Sequence, residues 1–506
     1  MRTCGILFPV SSLPSRYGIG SFSQEAFRFI DFLHDAGQGC WQILPVGPTG
    51  YGDSPYQPVS AFAGNPYFIS LEKLVEEGYL LQQECDGRKW GEDPERTDYG
   101  ALYENREAVL LLAFERFSEC LEEDKELRAD WDAFLKKEKD WLDDYALYMT
   151  IKGLEGGKAW TDWEEPLRIR DGKALEHVRK EEKNRICYFY FLQFMFAVQW
   201  DSLRRYAAGK QVKIIGDIPF YAAMDSADAW AHPEVFCMDE KHRPVSVAGC
   251  PPDAFSPTGQ RWGNPVYDWT AMKKDGYDWW IRRMERSLEL YDVLRIDHFH
   301  GFEQYYAIPS GDETAEHGTL HKGPGMAFFR ELKKRLGDVP VIAEDLGTVT
   351  EENRKLLEET GFPGMKVLQY AFTSWDSIYL SHRHVKNCVV YTGTHDNTTA
   401  RAWVEELNDG ERDYVRRYIN SENTDYGRFV WDFIREAYRS VADLCIIPLQ
   451  DYLVKGKEAR INEPGTAEGN WQWRLKPGFL SDDLCRSIRG LSELYGRIPA
   501  AEEKDD

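Results

Sequence analysis

The sequence predicts an α/β fold: a (β/α)8 TIM barrel with inserted, mainly helical subdomains and a long lid loop at the C-terminal face. Three observations predict it: eight short apolar runs ending in Gly, Pro, Asp or His, amphipathic stretches between most of them, and a chain of 506 residues, too long for one simple domain. The runs are, in order, Gly5-Ile6-Leu7-Phe8, Trp41-Gln42-Ile43-Leu44, Val212-Lys213-Ile214-Ile215-Gly216-Asp217, Val293-Leu294-Arg295-Ile296-Asp297, Val341-Ile342-Ala343-Glu344-Asp345, Met365-Lys366-Val367-Leu368, Val389-Val390-Tyr391-Thr392 and Leu444-Cys445-Ile446-Ile447-Pro448-Leu449. Four of them lead into carboxylate or His-carboxylate sequences, and a barrel gathers the C-terminal ends of its strands at one mouth.

Residues 45–211 separate the second run from the third, far more than the ~2–6 loop residues and one helix of a single βα connection. An inserted subdomain is expected there. We divide the chain into 1–84, the first barrel strands and a substrate loop; 85–185, an inserted helical subdomain; and 186–506, the rest of the barrel, with an insertion at 220–290 that carries the lid. Residues 101–149 place Leu, Phe, Trp and Tyr at three- and four-residue spacing among Glu and Lys, the pattern of amphipathic helices. Tyr188 to Trp200 is nearly all apolar and reads as a buried helix, although periodicity alone leaves a strand open. In the connection from Phe220 to Tyr291, the Pro- and Gly-rich segment 248–265 predicts a structured loop over the site, neither helix nor central strand. The charged tail 502–506 is expected to fray.

Eighty-five acidic against 62 basic residues give a net charge of -23, which repels a nucleic-acid backbone or an anionic membrane surface and suits a neutral substrate. The ten Cys are scattered singly, with no C-x-x-C pair or zinc-like spacing, and read as reduced, mostly buried thiols. The N-terminus breaks into turn residues at Pro9 too early for a secretion signal, and no later stretch approaches ~18 continuous apolar residues. A cytoplasmic protein is the expectation.

Arg295-Ile296-Asp297-His298 puts Arg295 and Asp297 on the same side of a strand, where the guanidinium would keep the carboxylate ionised and lower its pKa, as a nucleophile requires. The same pair would also serve as a structural ion pair capping a barrel. Ala343-Glu344-Asp345-Leu346-Gly347 places Glu344 just past an apolar strand, where partial desolvation raises a carboxyl toward a general acid, while Asp345 reads as a cap for backbone N–H groups. Tyr391 to Asn397 ends a third strand with His395 and Asp396, groups suited to holding sugar hydroxyls. Together the three strand ends say more than any one, because retaining glycoside chemistry needs a nucleophile and an acid/base ~5–5.5 Å apart.

His298, His300 and His395 are possible metal ligands, but no complete ligand set accompanies them and hydrogen-bonding roles are preferred. His317, His321, His382 and His384 read as surface or supporting residues. Gly47 to Gln57 is not a phosphate loop, since no Lys-Ser/Thr follows and prolines remove donors. It presents Tyr51, Ser54 and Tyr56 for sugar rings and hydroxyls, and Trp262, Trp471 and Trp473 are candidates for the same use.

With those residues in place, the chain resembles the amylomaltases, the disproportionating enzymes of glycoside hydrolase family 77 in the α-amylase clan, over essentially its whole length. The resemblance rests on Gly52-Asp53-Ser54-Pro55-Tyr56-Gln57, Gly216-Asp217-Ile218-Pro219-Phe220-Tyr221, Gly249-Cys250-Pro251-Pro252-Asp253, Gly259-Gln260-Arg261-Trp262-Gly263-Asn264-Pro265, Arg295-Ile296-Asp297-His298, Ala343-Glu344-Asp345-Leu346-Gly347, Gly393-Thr394-His395-Asp396-Asn397 and Arg460-Ile461-Asn462-Glu463-Pro464-Gly465-Thr466. It implies Asp297 as nucleophile, Glu344 as acid/base and Asp396 as the carboxylate gripping ring hydroxyls. It also implies that Arg295 and His395 assist and that Tyr56, Asp217, Trp262 and Asn462 bind glucosyl units, and Ser54 and His298 join them as substrate-binding candidates read from their own places in the chain. The chain departs from the family pattern at Thr398, Cys250 and Ala254.

The implied activity is 4-α-glucanotransfer between maltooligosaccharides and α-glucans as donor and acceptor, with no metal and no organic cofactor expected. Two rivals stand beside it: an α-glucan hydrolase using the same carboxylates, and a non-catalytic glucan-binding protein.

Overall fold

A computed structural model describes residues 2–50, 52–252, 256–347, 349–466 and 468–499. The eight apolar runs become eight parallel strands: Thr3–Leu7, Cys40–Gln42, Lys213–Ile218, Val293–Ile296, Val341–Ala343, Gly364–Val367, Cys388–Tyr391 and Leu444–Pro448. They close into a barrel in which each strand pairs with its neighbours in sequence and the first pairs with the eighth.

These strands read as continuous apolar runs because both faces are buried. Leu7, Cys40, Ile215, Ile342, Met365, Val367, Val389, Tyr391 and Ile446 fill the interior as one cluster. The alternate residues, among them Ile6, Trp41, Ile214, Leu294, Val341 and Ile447, face the surrounding helices in the main core. Gly216 has a packing reason, since a Cβ there would meet the Tyr291 ring at 2.2 Å.

The long connection after the second strand is helical, with Tyr99–Glu123, Lys125–Leu154 and Lys183–Gly209 as its main helices. Asp98 and Asp124 cap the first two by accepting backbone N–H groups. Tyr188 to Trp200 lies within the third, which runs unbroken through positions 185 and 186. Phe117 meets Trp131 at 5.3 Å and Phe191 at 5.0 Å, knitting the three helices together. The third helix also anchors the loop after the second strand. Gln193 accepts from Gly64 N at 2.7 Å and donates to Gly64 O at 2.9 Å, and Gln199 accepts from Ser70 N at 2.7 Å.

The lid segment corrects the sequence reading. Its arms are strands: Ser246–Cys250 and Gln260–Pro265 pair antiparallel, and with Gln304–Pro309 and Thr319–Lys322 they form a separate sheet in which Ser246–Cys250 is an inner strand. Of the prolines that argued against a central strand, Pro251, Pro252 and Pro257 fall in the connection between the arms, and Pro265 ends the arm that is the sheet's edge strand. Gly249 permits the close pairing, because a Cβ would meet Gln260 O at 2.2 Å. Tyr51, Asp253, Ala254 and the tail 502–506 lie outside the described residues.

Among the described residues no helix is long and apolar enough to cross a membrane. Cys4, Cys40, Cys85, Cys388 and Cys445 are buried free thiols, whereas Cys120 is exposed, so burial is less general than the sequence suggested. His384 is not a surface residue. It is 7 % exposed, its ring held by Ser440 at 2.7 Å and Tyr379 O at 2.9 Å.

Candidate active site

At the C-terminal end of the barrel, the fourth strand delivers Arg295 inward two residues before Asp297. Arg295 Nη1 donates to Asp217 Oδ2 of the third strand at 2.5 Å and to Asp297 Oδ1 at 3.1 Å. The first pair is enclosed, with side-chain exposures of 3 % and 0 %, while Asp297 keeps 29 % of its side chain open to the mouth. The lowered Asp297 pKa expected from its guanidinium neighbour is not found. Burial raises the carboxyl above its ordinary value of 3.8, Arg295 pulls it down, and the nearby Asp396 pushes it up again.

Glu344 follows the fifth strand and is tied to the same place. His298 N, the amide that follows Asp297, donates to Glu344 Oε2 at 2.7 Å, and Leu346 N donates to Oε1 at 3.0 Å. His298 reaches this position in the left-handed conformation, φ 46°. Burial raises Glu344 to about 8, Asp297 adds to the rise, and Arg295 and the two amides oppose it. A carboxylic acid that keeps its proton near neutrality therefore sits one peptide unit from Asp297. Asp345 caps no helix. Its carboxylate instead accepts from Met365 N at 2.6 Å in the next strand, and Thr350 caps the helix that follows.

Asp396 comes from the loop after the seventh strand and is held from three sides. Asn462 Nδ2 donates to Asp396 Oδ1 at 2.6 Å, Arg460 Nη2 donates to its carbonyl at 3.0 Å, and His395 Nε2 lies 3.4 Å from Oδ2. Burial lowers His395, and His298 to about 4, so both rings are neutral near pH 7. Among the described residues no group of three or more His, Cys, Asp or Glu is arranged to hold a metal ion.

Aromatic rings line the mouth. Tyr56 stacks on His395 at 5.1 Å and donates its hydroxyl to Asp217 at 2.8 Å. Trp262, on the lid arm, meets His298 edge-on at 5.2 Å, with Tyr221 at 6.2 Å. Ser54 is used within its own turn, where its hydroxyl accepts from Tyr56 N at 3.2 Å. Trp471 is buried behind Tyr56, 5.8 Å away, and Trp473 is a core residue against Phe8, so neither offers the open ring face expected of it.

Several supporting residues went unread in the sequence. Asp451, just past the eighth strand, accepts from Thr392 Oγ1 at 2.6 Å and Ala400 N at 2.7 Å, closing both ends of the loop that carries His395 and Asp396. A carboxylate after an apolar run was the available signal, the same one that found Asp297 and Glu344. Tyr370, whose hydroxyl accepts from Asn397 Nδ2 at 2.9 Å, and the Gln57–Asn264 amide pair at 2.9 Å gave no such signal, being common polar residues in loops.

A closed parallel barrel that brings a proton-holding glutamate, two aspartates and stacked aromatic rings to one mouth defines a glycoside-active enzyme of the paired-carboxylate kind. The comparison with known proteins makes the class specific: the chain belongs to glycoside hydrolase family 77, the 4-alpha-glucanotransferases, whose family model matches residues 8–481. It is 45 % identical over 492 residues to a 4-alpha-glucanotransferase of Clostridium butyricum, covering 96 % of this chain and 99 % of the relative. A 4-alpha-glucanotransferase of Thermus thermophilus is 44 % identical over 507 residues, covering 98 % and 99 %. Among solved structures, amylomaltase from Streptococcus agalactiae in complex with acarbose matches with a TM-score of 0.95 at 38 % identity, covering 99 % of this chain and 100 % of that one.

Proposed function

We infer that this chain is a 4-α-glucanotransferase that moves a segment of an α-1,4-glucan to the 4-hydroxyl of an acceptor glucan or glucose by retaining double displacement. The observation that carries the mechanism is the bond from the amide after Asp297 to Glu344, which couples a protonated acid to a carboxylate paired with Arg295. Glu344 gives its proton to the glycosidic oxygen while Asp297 attacks the anomeric carbon. The bond to the departing fragment breaks as the Asp297–carbon bond forms. Glu344, now ionised, takes the proton of the acceptor's 4-hydroxyl, whose oxygen displaces Asp297 and restores the original configuration.

In this reading Asp396 grips ring hydroxyls as positive charge develops, oriented by Asn462 and His395, and Tyr56 offers its ring and Asp217 its carboxylate to the donor sugar. Trp262 and His298 cover the site from the lid side, while Ser54 acts through Tyr56. Transfer over hydrolysis requires that water be excluded and the acceptor be held, which the lid arm above His298 supports. The donors and acceptors are maltooligosaccharides and larger α-glucans. The buried free thiols and the net charge of -23 suit a reducing, cytoplasmic setting. Residues 85–185 are read as a scaffold that holds the substrate loop through the helix following it.

The test is the product ladder from maltotriose alone. Longer oligosaccharides together with glucose and maltose are expected; glucose and maltose with nothing longer would leave a hydrolase in its place.

A further inference from the structure

Trp375 is 77 % exposed, an unusual state for a large aromatic residue, and it lies in the connection between the sixth and seventh strands, just after the 3-10 helix Leu368–Thr373 that follows the mouth end of the sixth. Tyr370 and Ile378 on the same connection are 36 % and 44 % exposed. The connection is ordered. Ser377 Oγ and Thr373 Oγ1 donate to Tyr370 O at 3.2 Å and 3.3 Å, and Ser374 Oγ donates to Asp376 Oδ1 at 2.6 Å. Trp375 is thus two residues, at most about 7 Å of chain, from a side chain that touches the Tyr370 backbone.

Tyr370 in turn marks the edge of the site. Its hydroxyl accepts from Asn397, the neighbour of Asp396, and it lies in the short 3-10 helix Leu368–Thr373, directly after the strand that pairs with the one leading into Glu344. The oxygen that Glu344 protonates is the one linking the departing fragment, so that fragment leaves, and the acceptor enters, past Glu344. Resting on the function inferred above, we propose that Trp375 is an outlying platform for the acceptor: the face on which glucosyl units beyond those held in the mouth stack. A neutral α-glucan fits it, since the exposed ring offers an apolar face for sugar C–H groups.

The experiment uses the full chain, a fixed α-maltosyl fluoride donor, and glucose or maltoheptaose as acceptor. In Trp375→Ala the ratio of acceptor kcat/KM for maltoheptaose over glucose is expected to fall roughly three- to tenfold, and Trp375→Phe, which keeps a ring face, to retain most of it. In the Glu344→Gln background, maltoheptaose affinity measured by calorimetry is expected to drop by a similar factor on adding Trp375→Ala. An unchanged ratio, or equal losses for both acceptors, overturns the platform. If the wild-type chain transfers to neither acceptor, it is the transferase reading that falls; if it transfers and the ratio ignores Trp375, only the platform does.

Discussion

Arg295 and Asp217 form a salt bridge of 2.5 Å with almost no access to solvent. The guanidinium has a second partner in Asp297 at 3.1 Å, so the buried pair also fixes where the nucleophile candidate points. Removing one partner of such a pair leaves an uncompensated buried charge. Asp217→Ala is expected to destabilise the chain by about 3–5 kcal/mol, whereas Arg295→Met combined with Asp217→Leu should cost markedly less than the sum of the single changes. Urea unfolding of wild type, Arg295→Met, Asp217→Leu and the double variant measures the coupling, and additive losses would mean the pair is not coupled.

Glu344 and Asp297 are assigned different halves of one step, and a substrate with a good leaving group separates them. Glu344→Gln is expected to lose roughly 10²–10⁴-fold in kcat on maltotriose, the usual worth of a general acid. It should retain far more of the first step on α-maltosyl fluoride, whose fluoride leaves without a proton. Asp297→Asn is expected to lose both. Equal losses of Glu344→Gln on the two substrates, read by burst kinetics, would remove Glu344 from the acid role.

The barrel was legible because parallel strands with two buried faces leave unbroken apolar runs, and all eight runs became strands. The carboxylates were legible because such runs end at the mouth. What the sequence hid depended on partners far along the chain. Gly249 and Pro251 spoke for a loop when read locally, yet cross-strand pairing with Gln260 and Tyr306 makes the lid arm an inner strand. The pKa of Asp297 followed the same logic: Arg295 is adjacent in sequence, but the enclosure that outweighs it is built from other strands. Trp473 looked like a loop residue and is core because Phe8, from the other end of the chain, lies against it.

The acid role also has a pH signature. With Glu344 at about 8, kcat/KM is expected to fall on the alkaline side as the free enzyme's acid loses its proton near that value. Since Asp297 is one cause of the rise, Asp297→Asn should lower the Glu344 titration, which carboxyl-labelled NMR reads directly. The folded pKa exceeds the ordinary 4.5, so folding favours the protonated form, and that contribution is full below 4.5 and lost as pH rises through about 8. Glu344→Gln should therefore gain stability relative to wild type at pH 9, with the gain shrinking toward pH 5.

Asn462 offers the sharpest test of how Asp396 is aimed. Its amide donates to Asp396 Oδ1 at 2.6 Å, and its own backbone N–H is bonded to His395 O at 3.1 Å, so its position is fixed independently of its side chain. Asn462→Ala removes the donor without moving the backbone, and kcat is expected to fall roughly 10–100-fold, as for lost support of a positioned ligand. Asn462→Asp sets a second carboxylate at the same short range, where repulsion raises the pKa of one and lets it hold a proton that bridges them at low pH. That proton restores the bond at low pH and is surrendered as pH rises. The activity of Asn462→Asp relative to wild type should therefore decline steeply from acid to neutral pH, while that of Asn462→Ala stays level across the same range. Parallel profiles for the two variants would mean that the amide binds sugar alone and leaves Asp396 to orient itself.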